Sequence, residues 1–416
     1  MLEQIILYSF LAATAVQLFF WLYFFSRLAF YKESLRGGEF ESLRAVFPFA
    51  GFGFRFIGSK SGGWRGGDEQ AKGGKNENAK GHNPSAVRRP PSTVIICAHN
   101  EAANLEAHLD RFLNQNYRSF TVMVVSHNSC DKSLNILSSL QHRFKHLKIV
   151  ECNDRRTGKK HALAKGISEA ETDILVLTDA DCVPVSEDWL GGMMEKIGGD
   201  TDIVLGFSPY MEAPGFLNKF IRFEAVYTAL QYLSFALAGV PYMGVGRNLA
   251  YRKELYFAAE GFKKHEDIAS GDDDLFVNEV ATGKNTAIQL DPRTFVFSKP
   301  NTTWRAYFRQ KTRHFSTGKK YKLQHKILLS ALAVSHYLHY FLGALIVILN
   351  FSIIFALLGY AVRMCVVMAF SSIILKRLQH ENLRFWVPAL DVLLVLFYIA
   401  FAPVILMNSS NTQRWN

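Results

Sequence analysis

The sequence predicts an α/β domain with a mostly parallel sheet, flanked by transmembrane helices. Three observations support this fold class. Apolar runs of strand length alternate with amphipathic helical segments from residue 93 onward, which is typical of a parallel sheet covered on both faces. Long apolar segments lie near both ends of the 416-residue chain. An acidic triplet directly follows one of the predicted strands, at the sheet edge where α/β proteins bind ligands.

These features divide the chain into six parts. The predicted boundaries are a transmembrane helix (1–30), a basic, Gly-rich linker (31–92), the α/β domain (93–300), an interfacial amphipathic helix (301–326), two to three transmembrane helices (327–408) and a tail (409–416). Residues 5–25 carry no charge, and a helix of that length spans a hydrocarbon core of about 30 Å. A signal peptide fits poorly, because residues 1–4 contain no Lys or Arg and the apolar stretch is long.

The α/β domain is predicted from its alternating pattern. The strands are expected at 93–97, 120–125, 147–151, 173–178, 203–207 and 294–297, and the helices at 102–114, 132–144 and 159–169. The sheet is therefore expected to extend to about residue 300. Aromatic residues recur at helical spacing in residues 216–230, where both an interfacial helix and ordinary packing against the sheet fit the pattern.

The C-terminal third predicts membrane insertion. Residues 327–375 are almost wholly apolar, twice the length of one crossing, so we expect two helices with a turn near residues 350–352. Residues 387–407 form a third candidate that contains Pro388, Asp391 and Pro403, and a kink or partial insertion is expected there. Residues 304–315 combine aromatics with cations and suit a membrane surface.

The charge distribution indicates sidedness and partners. The net charge of +11 suits an anionic partner. Nucleic acid is disfavoured, because Lys and Arg cluster beside the apolar segments and in the linker. They follow the first segment and precede the second, which places the central region in the cytoplasm by the positive-inside rule. The five scattered cysteines show no metal-ligand pairing, and reduced thiols are expected.

The triplet Asp179-Ala180-Asp181 is the strongest candidate site. It follows the apolar run at residues 174–177, so the two carboxylates lie at the end of a buried strand. Mg²⁺ or Mn²⁺ takes one or two protein carboxylates and keeps its other positions for water and phosphate. A solvated polar turn is the alternative for the triplet considered alone.

Three further motifs occur in the same order along the chain as in a known family. Residues 97–101 close the first strand, Gly271-Asp272-Asp273-Asp274 opens a helix, and residues 310–314 precede the membrane. Together with the acidic triplet, this order resembles the membrane-bound family 2 glycosyltransferases, in particular their lipid-directed, ceramide-glucosyltransferase-like branch. The resemblance covers residues 93–314 and implies a GT-A fold with a Rossmann-like sheet.

The resemblance implies a role for each motif. Asp181 would bind the metal, and Asp179 the metal and the ribose. Asp274 would be the general base, with Asp273 as second choice, and mutual repulsion within the acidic run should raise at least one pKa. Arg313 would face the diphosphate and Gln310 the acceptor. The substrate-binding set is completed by Ala98, Glu101, His127, Asp131 and Lys159. Lys159 follows Gly158 at a predicted helix start, where phosphate binding and a solvated lysine fit about equally well.

Two departures from the family pattern bear on the substrates. His127 stands where the family carries an acid that reads the nucleotide base, so a UDP-sugar is only the default donor. His314 stands where processive synthases carry a tryptophan, which favours a lipid acceptor over a growing polymer. The sequence therefore predicts inverting, metal-assisted sugar transfer to a lipid at a cytoplasm-facing membrane, such as a cell inner membrane. A processive polysaccharide synthase and a non-catalytic protein that binds lipid headgroups are the alternatives.

Overall fold

A seven-stranded sheet forms the centre of the molecule. The computed structural model describes residues 1–32, 90–153, 158–268 and 270–406. The strands of the sheet are β1 Ser92–Ala98, β2 Phe120–His127, β3 Leu147–Cys152, β4 Ile174–Asp179, β6 Ile203–Leu205, β7 Leu249–Arg252 and β8 Thr286–Ile288. Their order is β3-β2-β1-β4-β7-β6-β8; β7 runs antiparallel to both neighbours, and all other pairs are parallel. The predicted fold class, a mostly parallel α/β domain with flanking membrane helices, is confirmed.

Helices cover both faces of this sheet. They are α3 Ala102–Leu113, α4 Ser133–Arg143, α5 Lys159–Glu169, α6 Trp189–Glu195, α7 Phe216–Leu237, α8 Lys253–Ala258 and α9 Asp274–Val280. Successive residues of β1 enter different cores: Val94 and Ile96 pack with α3 and α6, whereas Ile95 packs with α5 and α7. Burial on both faces explains why the strands read as continuous apolar runs.

The last predicted strand lies outside this sheet. β9 Val296–Ser298 pairs antiparallel with β5 Cys182–Pro184 in a separate two-stranded sheet. The expectation that the main sheet extends to about residue 300 is therefore wrong, since its edge strand is β8. A tight turn at Pro292–Thr294, capped by the side chain of Asp291, separates β8 from β9.

Four segments are long and apolar enough to cross a membrane. They are Leu2–Ala29, Leu323–Ile348, Ile353–Arg377 and Glu381–Phe401. The first consists of α1 Leu2–Phe19 and α2 Ser26–Ala29 joined by a π-type turn, and the others correspond to α11 Leu323–Ile348, α12 Ile353–Arg377 and α13 Val387–Leu406. The turn predicted near residues 350–352 is present, with Asn350 and Ser352 at positive φ.

The two aromatic segments differ in their surroundings. Phe220, Phe223 and Leu230 of α7 are buried, so packing, rather than a membrane surface, explains their helical spacing. In α10 Trp304–Phe315, Tyr307 is buried while Trp304 and Phe308 are partly exposed. Most of the predicted linker (31–92) and the tail (409–416) lie outside the described residues.

Candidate active site

The carboxyl ends of β1 and β4 open onto a large cavity. Cys97 of β1 is in register with Asp179 of β4, so the segments that follow both strands begin side by side. The cavity has a volume of about 1650 Å³. Of the predicted site residues, it is lined by Glu101, Lys159, Asp179, Asp181, Asp273, Asp274, Gln310 and Arg313.

Asp179, Asp181 and Cys182 form the only group of three or more potential metal ligands in the described ranges. One ligand atom each of Asp179, Asp181 and Cys182 lies within 4.8 Å of the others. Burial, followed by the Asp179 carboxylate, raises the pKa of Asp181. Burial and the two neighbouring carboxylates also raise the pKa of the Cys182 thiol well above its usual value, so the thiol stays protonated. The two carboxylates therefore fit Mg²⁺ or Mn²⁺, whose preferred ligands are oxygens.

Lys159 connects this pair to the acidic run on the other side of the cavity. Its Nζ lies 2.7 Å from Asp179 Oδ1 and 3.3 Å from Asp272 Oδ2. Burial disfavours the charged ammonium, but Asp179 and Asp272 outweigh burial and raise the pKa of Lys159 well above its usual value. Burial would likewise raise the pKa of Asp179, and Lys159 reverses this shift. Two carboxylates from distant parts of the chain thus share one ammonium group.

The other two acids of the run have backbone and hydroxyl partners. Asp273 caps α9 by accepting from the Asp274 amide at 2.7 Å, and it accepts from the Gly246 amide at 2.7 Å. A Cβ on Gly246 would lie 3.2 Å from Asp273 Oδ2, so this close approach favours glycine. Burial, followed by Asp272 and Asp274, raises the pKa of Asp273 to about 7. The expectation of a raised pKa within the run agrees with this value.

Asp274 is held from the segment that follows α10. Its Oδ2 accepts hydrogen bonds from the hydroxyls of Thr317 and Tyr321, the latter at 2.8 Å, and its Oδ1 accepts from the Leu275 amide at 2.7 Å. Asp274 is only 8% exposed. Its carboxylate therefore ties the start of α9 to the chain just before α11.

Two arginines face the metal-ligating pair. The Arg247 guanidinium lies 4.5 Å from the Tyr210 ring centroid and donates to the Ser208 carbonyl at 3.2 Å. Its charge lowers the pKa of Asp179 and Asp181, against the larger effect of burial. Arg313 reaches the same cavity from α10. Gln310, one turn earlier, accepts from Asn301 at 2.8 Å and donates to the Tyr210 hydroxyl at 3.4 Å.

Only some of the residues predicted to bind the nucleotide lie at the cavity. Glu101 lines the cavity; burial raises its pKa, and a hydrogen bond from Asn104 at 2.6 Å opposes that shift. Ala98, His127 and Asp131 do not line the cavity. Ala98 and His127 are buried at the ends of β1 and β2, and Asp131 accepts from the Ala102 amide at 2.9 Å.

Sequence reasoning did not single out Asp272 or Arg247. Asp272 was one of three identical neighbours, and only its pairing with Lys159 distinguishes it. Arg247 lies between Gly246 and β7, a strand that the sequence pattern did not predict. The signal available in the sequence was an arginine directly after the glycine-bearing run Gly244-Val245-Gly246.

Comparison with known proteins places these residues in a family context. Residues 93–257 match the family described as Glycosyl transferase family 2. The chain is 26% identical over 248 residues to the probable glycosyltransferase YdaM of Bacillus subtilis, a match that covers 56% of each protein. It is 28% identical over 95 residues to the cholesterol galactosyltransferase of Borreliella burgdorferi, covering 23% of this chain and 26% of that protein. The chain thus spans about half the length of the first relative and about a quarter of the second.

A solved structure of similar extent is the mannosyltransferase PcManGT from Pyrobaculum calidifontis in complex with GDP-Man and Mn²⁺. It is 20% identical in sequence, with a TM-score of 0.48, and the match covers 75% of this chain and 88% of that chain.

Proposed function

Residues 93–257 form a family 2 glycosyltransferase domain, and from this premise we propose that the chain transfers a sugar from a nucleotide-sugar donor to a membrane lipid with inversion. One observation carries the proposal. Asp179, Asp181, Asp272, Arg247 and Arg313, from four separate segments, line one cavity that also reaches the membrane helices. The residues that would bind the donor and the helices that would admit a lipid therefore line the same cavity.

The donor diphosphate would lie between the acidic pair and the two arginines. Asp181 and Asp179 would hold Mg²⁺ or Mn²⁺, which when bound neutralises charge that develops on the departing diphosphate. The Arg313 and Arg247 guanidiniums can each pair with two phosphate oxygens. Lys159, which pairs with both Asp179 and Asp272, would keep its ammonium beside Asp272 and the phosphates.

The general base would come from the acidic run, and the geometry favours Asp272. The base must remove a proton from the acceptor hydroxyl beside the sugar carbon that the diphosphate leaves. Asp272 is the member of the run that shares Lys159 with the metal-ligating Asp179. Asp274, the residue that the family resemblance places first, is engaged by Thr317 and Tyr321, and Asp273 caps α9. We therefore assign the base to Asp272, and we assign Asp273 and Asp274 to holding the start of α9 in place.

The reaction would be a single displacement. The acceptor oxygen forms a bond to the sugar's anomeric carbon, the bond from that carbon to the diphosphate oxygen breaks, and the hydroxyl proton passes to Asp272. Attack opposite to the leaving group inverts the anomeric centre.

Separate observations support the acceptor and the donor nucleotide. A lipid acceptor is supported by the four apolar spans and by the named activity of the cholesterol galactosyltransferase relative. The flanking Lys and Arg support a cytoplasmic active site. We keep a UDP-sugar as the default donor, and we assign no contact with the diphosphate to His127 and Asp131, which do not line the cavity.

Binding of nucleoside diphosphates with Mn²⁺ or Mg²⁺ tests the donor site. We expect calorimetry on the full chain in detergent to show cation-dependent binding of one nucleoside diphosphate, which Asp181→Asn weakens by about tenfold or more. Asp200→Asn, at an exposed acid outside the cavity, is the matched control. No binding of any nucleoside diphosphate in the panel would overturn the proposal.

Transfer of radiolabelled sugar into a lipid extract tests the chemistry. Asp272→Asn should lower turnover by about two to four orders of magnitude, the usual contribution of a general base, while nucleotide binding persists. A larger loss for Asp273→Asn or Asp274→Asn would move the assignment within the run. A long polymer on a gel would instead identify a processive synthase. A normal biological effect of the Asp181→Asn variant would identify a non-catalytic protein.

A further inference from the structure

The cavity continues from the carboxylates into the membrane bundle. Beyond Arg313 and His314, its wall is formed by α7, α11 and α13. Here the lining changes from charged to mainly apolar side chains. The apolar part, which we call the membrane arm, is lined by Leu329, Leu332, Ala333, Val334, Val395 and Ile399.

The membrane arm opens sideways. Val334 and Ile399 line the cavity and are 54% and 44% exposed, although each belongs to a membrane-spanning segment. Because α11 begins at Leu323, Val334 lies roughly 17 Å along that helix at 1.5 Å per residue. The opening between α11 and α13 therefore lies well inside the span, where the surroundings are hydrocarbon.

A polar cluster closes the arm at its inner end. His336 Nε2 lies 3.2 Å from Asp391 Oδ1, and Arg363 Nη1 lies 2.7 Å from Asp391 Oδ2. The Tyr340 hydroxyl donates to the same carboxylate at 2.6 Å. All but Tyr340 are buried, and together these residues join α11, α12 and α13.

Beyond this cluster the bundle is filled. Phe10, Leu342, Ile346 and Ala356 pack into a separate apolar core, and Ile346 is 0% exposed. Within the described residues, the cavity lining on α11 ends at Tyr337. A polymer extruded along this path would meet packed side chains, whereas a hydrocarbon chain that enters from the side would not.

We propose that the membrane arm binds the hydrocarbon tail of the acceptor, a hydroxyl-bearing acyl lipid that enters between α11 and α13 and places its head beside Asp272. This proposal rests on the proposed function and adds the substrate class and its route. The Glu224–Lys311 ion pair, at 2.5 Å, lies on the cavity wall between α7 and α10. The polar head of the lipid would pass this pair on its way to the carboxylates.

Photocrosslinking in reconstituted vesicles tests the arm directly. The probe is a diacylglycerol with a diazirine in one acyl chain, mixed into phosphatidylcholine vesicles that hold the full chain. We expect mass spectrometry to find labelled peptides at residues 329–337 and 395–399, and labelling to fall when unlabelled diacylglycerol, but not extra phosphatidylcholine, is added. Equal competition by phosphatidylcholine would mean general lipid contact and would overturn the proposal.

Two variants of α11 make the test specific. Ala333→Trp fills the opening, and we expect it to reduce labelling by about tenfold, since a bulky ring occupies the space of the tail. Ala344→Trp is the matched control: Ala344 is exposed, lies three turns further on nearly the same face, and does not line the cavity. Undiminished labelling in Ala333→Trp would contradict a tail site. Cation-dependent binding of nucleoside diphosphate, measured on the same variants, should stay unchanged, and its absence in the wild type would instead count against the proposed function.

Discussion

At the scale of single residues, Asp273 shows how three adjacent acids can be folded into one site. Its two oxygens accept backbone amides, yet its neighbours on both sides are acids and it is largely enclosed. Burial has the largest effect on the pKa of Asp273, and the carboxylates of Asp272 and Asp274 have the next largest. Together they raise this pKa to about 7. The ionised form is therefore tolerated in the folded protein only at a free-energy cost.

The stability of the cation-free protein should fall as pH rises because of Asp273. An unfolded Asp titrates near 3.9, so the contribution of the protonated carboxyl is present below about pH 4 and lost as pH rises through about 7. Asp273→Asn cannot ionise and keeps an oxygen that can cap α9. We expect thermal unfolding in EDTA to show a smaller loss of Tm between about pH 5 and about pH 8 for this variant than for the wild type.

Asp200→Asn is the control, because Asp200 is exposed and distant in sequence from the run. A pH dependence that is equal in the wild type and Asp273→Asn would show that Asp273 is not the group responsible.

At the scale of secondary-structure elements, the sequence predicts helices and strands that have a local repeating pattern. It does not predict pairings between strands that lie far apart in the chain. Helix α5 begins and ends where the pattern predicts, because its apolar residues recur at helical spacing after Gly158. β7 and β9 are short, and their pairing with β4 and β5 joins segments far apart in the chain. The acidic pair at the end of β4 could be predicted from its strand. The choice among Asp272, Asp273 and Asp274 could not, since it depends on which of them pairs with Lys159, from a distant part of the chain.

The contact between α7 and α10 includes one buried ion pair beside the packing of Phe220 on Trp304 and Tyr307. Glu224 is 1% exposed and accepts from Lys311 at 2.5 Å and from the Tyr307 hydroxyl at 3.0 Å. Glu224→Gln keeps the size of the side chain but leaves the Lys311 ammonium without its countercharge. We expect the variant to lose about 3 kcal/mol of stability, as is typical when one partner of a buried pair is removed.

The double variant Glu224→Gln/Lys311→Met separates charge from packing. It should recover part of the lost stability, because no uncompensated charge remains. Thermal unfolding followed by tryptophan fluorescence in detergent gives the comparison. A double variant less stable than Glu224→Gln would show that packing of Lys311, and not its charge, holds the two helices together.

At the scale of the whole molecule, the sheet and the membrane helices share one core. Leu205 of β6, Phe220 of α7, Leu332 of α11, Val367 of α12 and Leu390 of α13 belong to the same buried cluster. This continuous core holds the carboxylates at a fixed distance from the membrane helices. A domain joined to those helices only by a linker would have no such fixed distance. This fixed position would let one cavity serve both the soluble donor and the proposed lipid acceptor.

Sidedness can be measured with the natural cysteines. Cys97, Cys152 and Cys182 are buried, whereas Cys130 is exposed on the α/β domain and Cys365 is exposed on the membrane-spanning α12. A membrane-impermeant maleimide should therefore react mainly with Cys130, because water reaches that thiol. If the active site faces the cytoplasm, as the flanking positive charges predict, we expect labelling in inverted membrane vesicles and none in intact cells of a bacterial host. Cys130→Ser should abolish the labelling and Cys365→Ser should leave it unchanged. Labelling of Cys130 in intact cells would place the α/β domain outside, where nucleotide sugars are scarce, and would contradict the proposed donor.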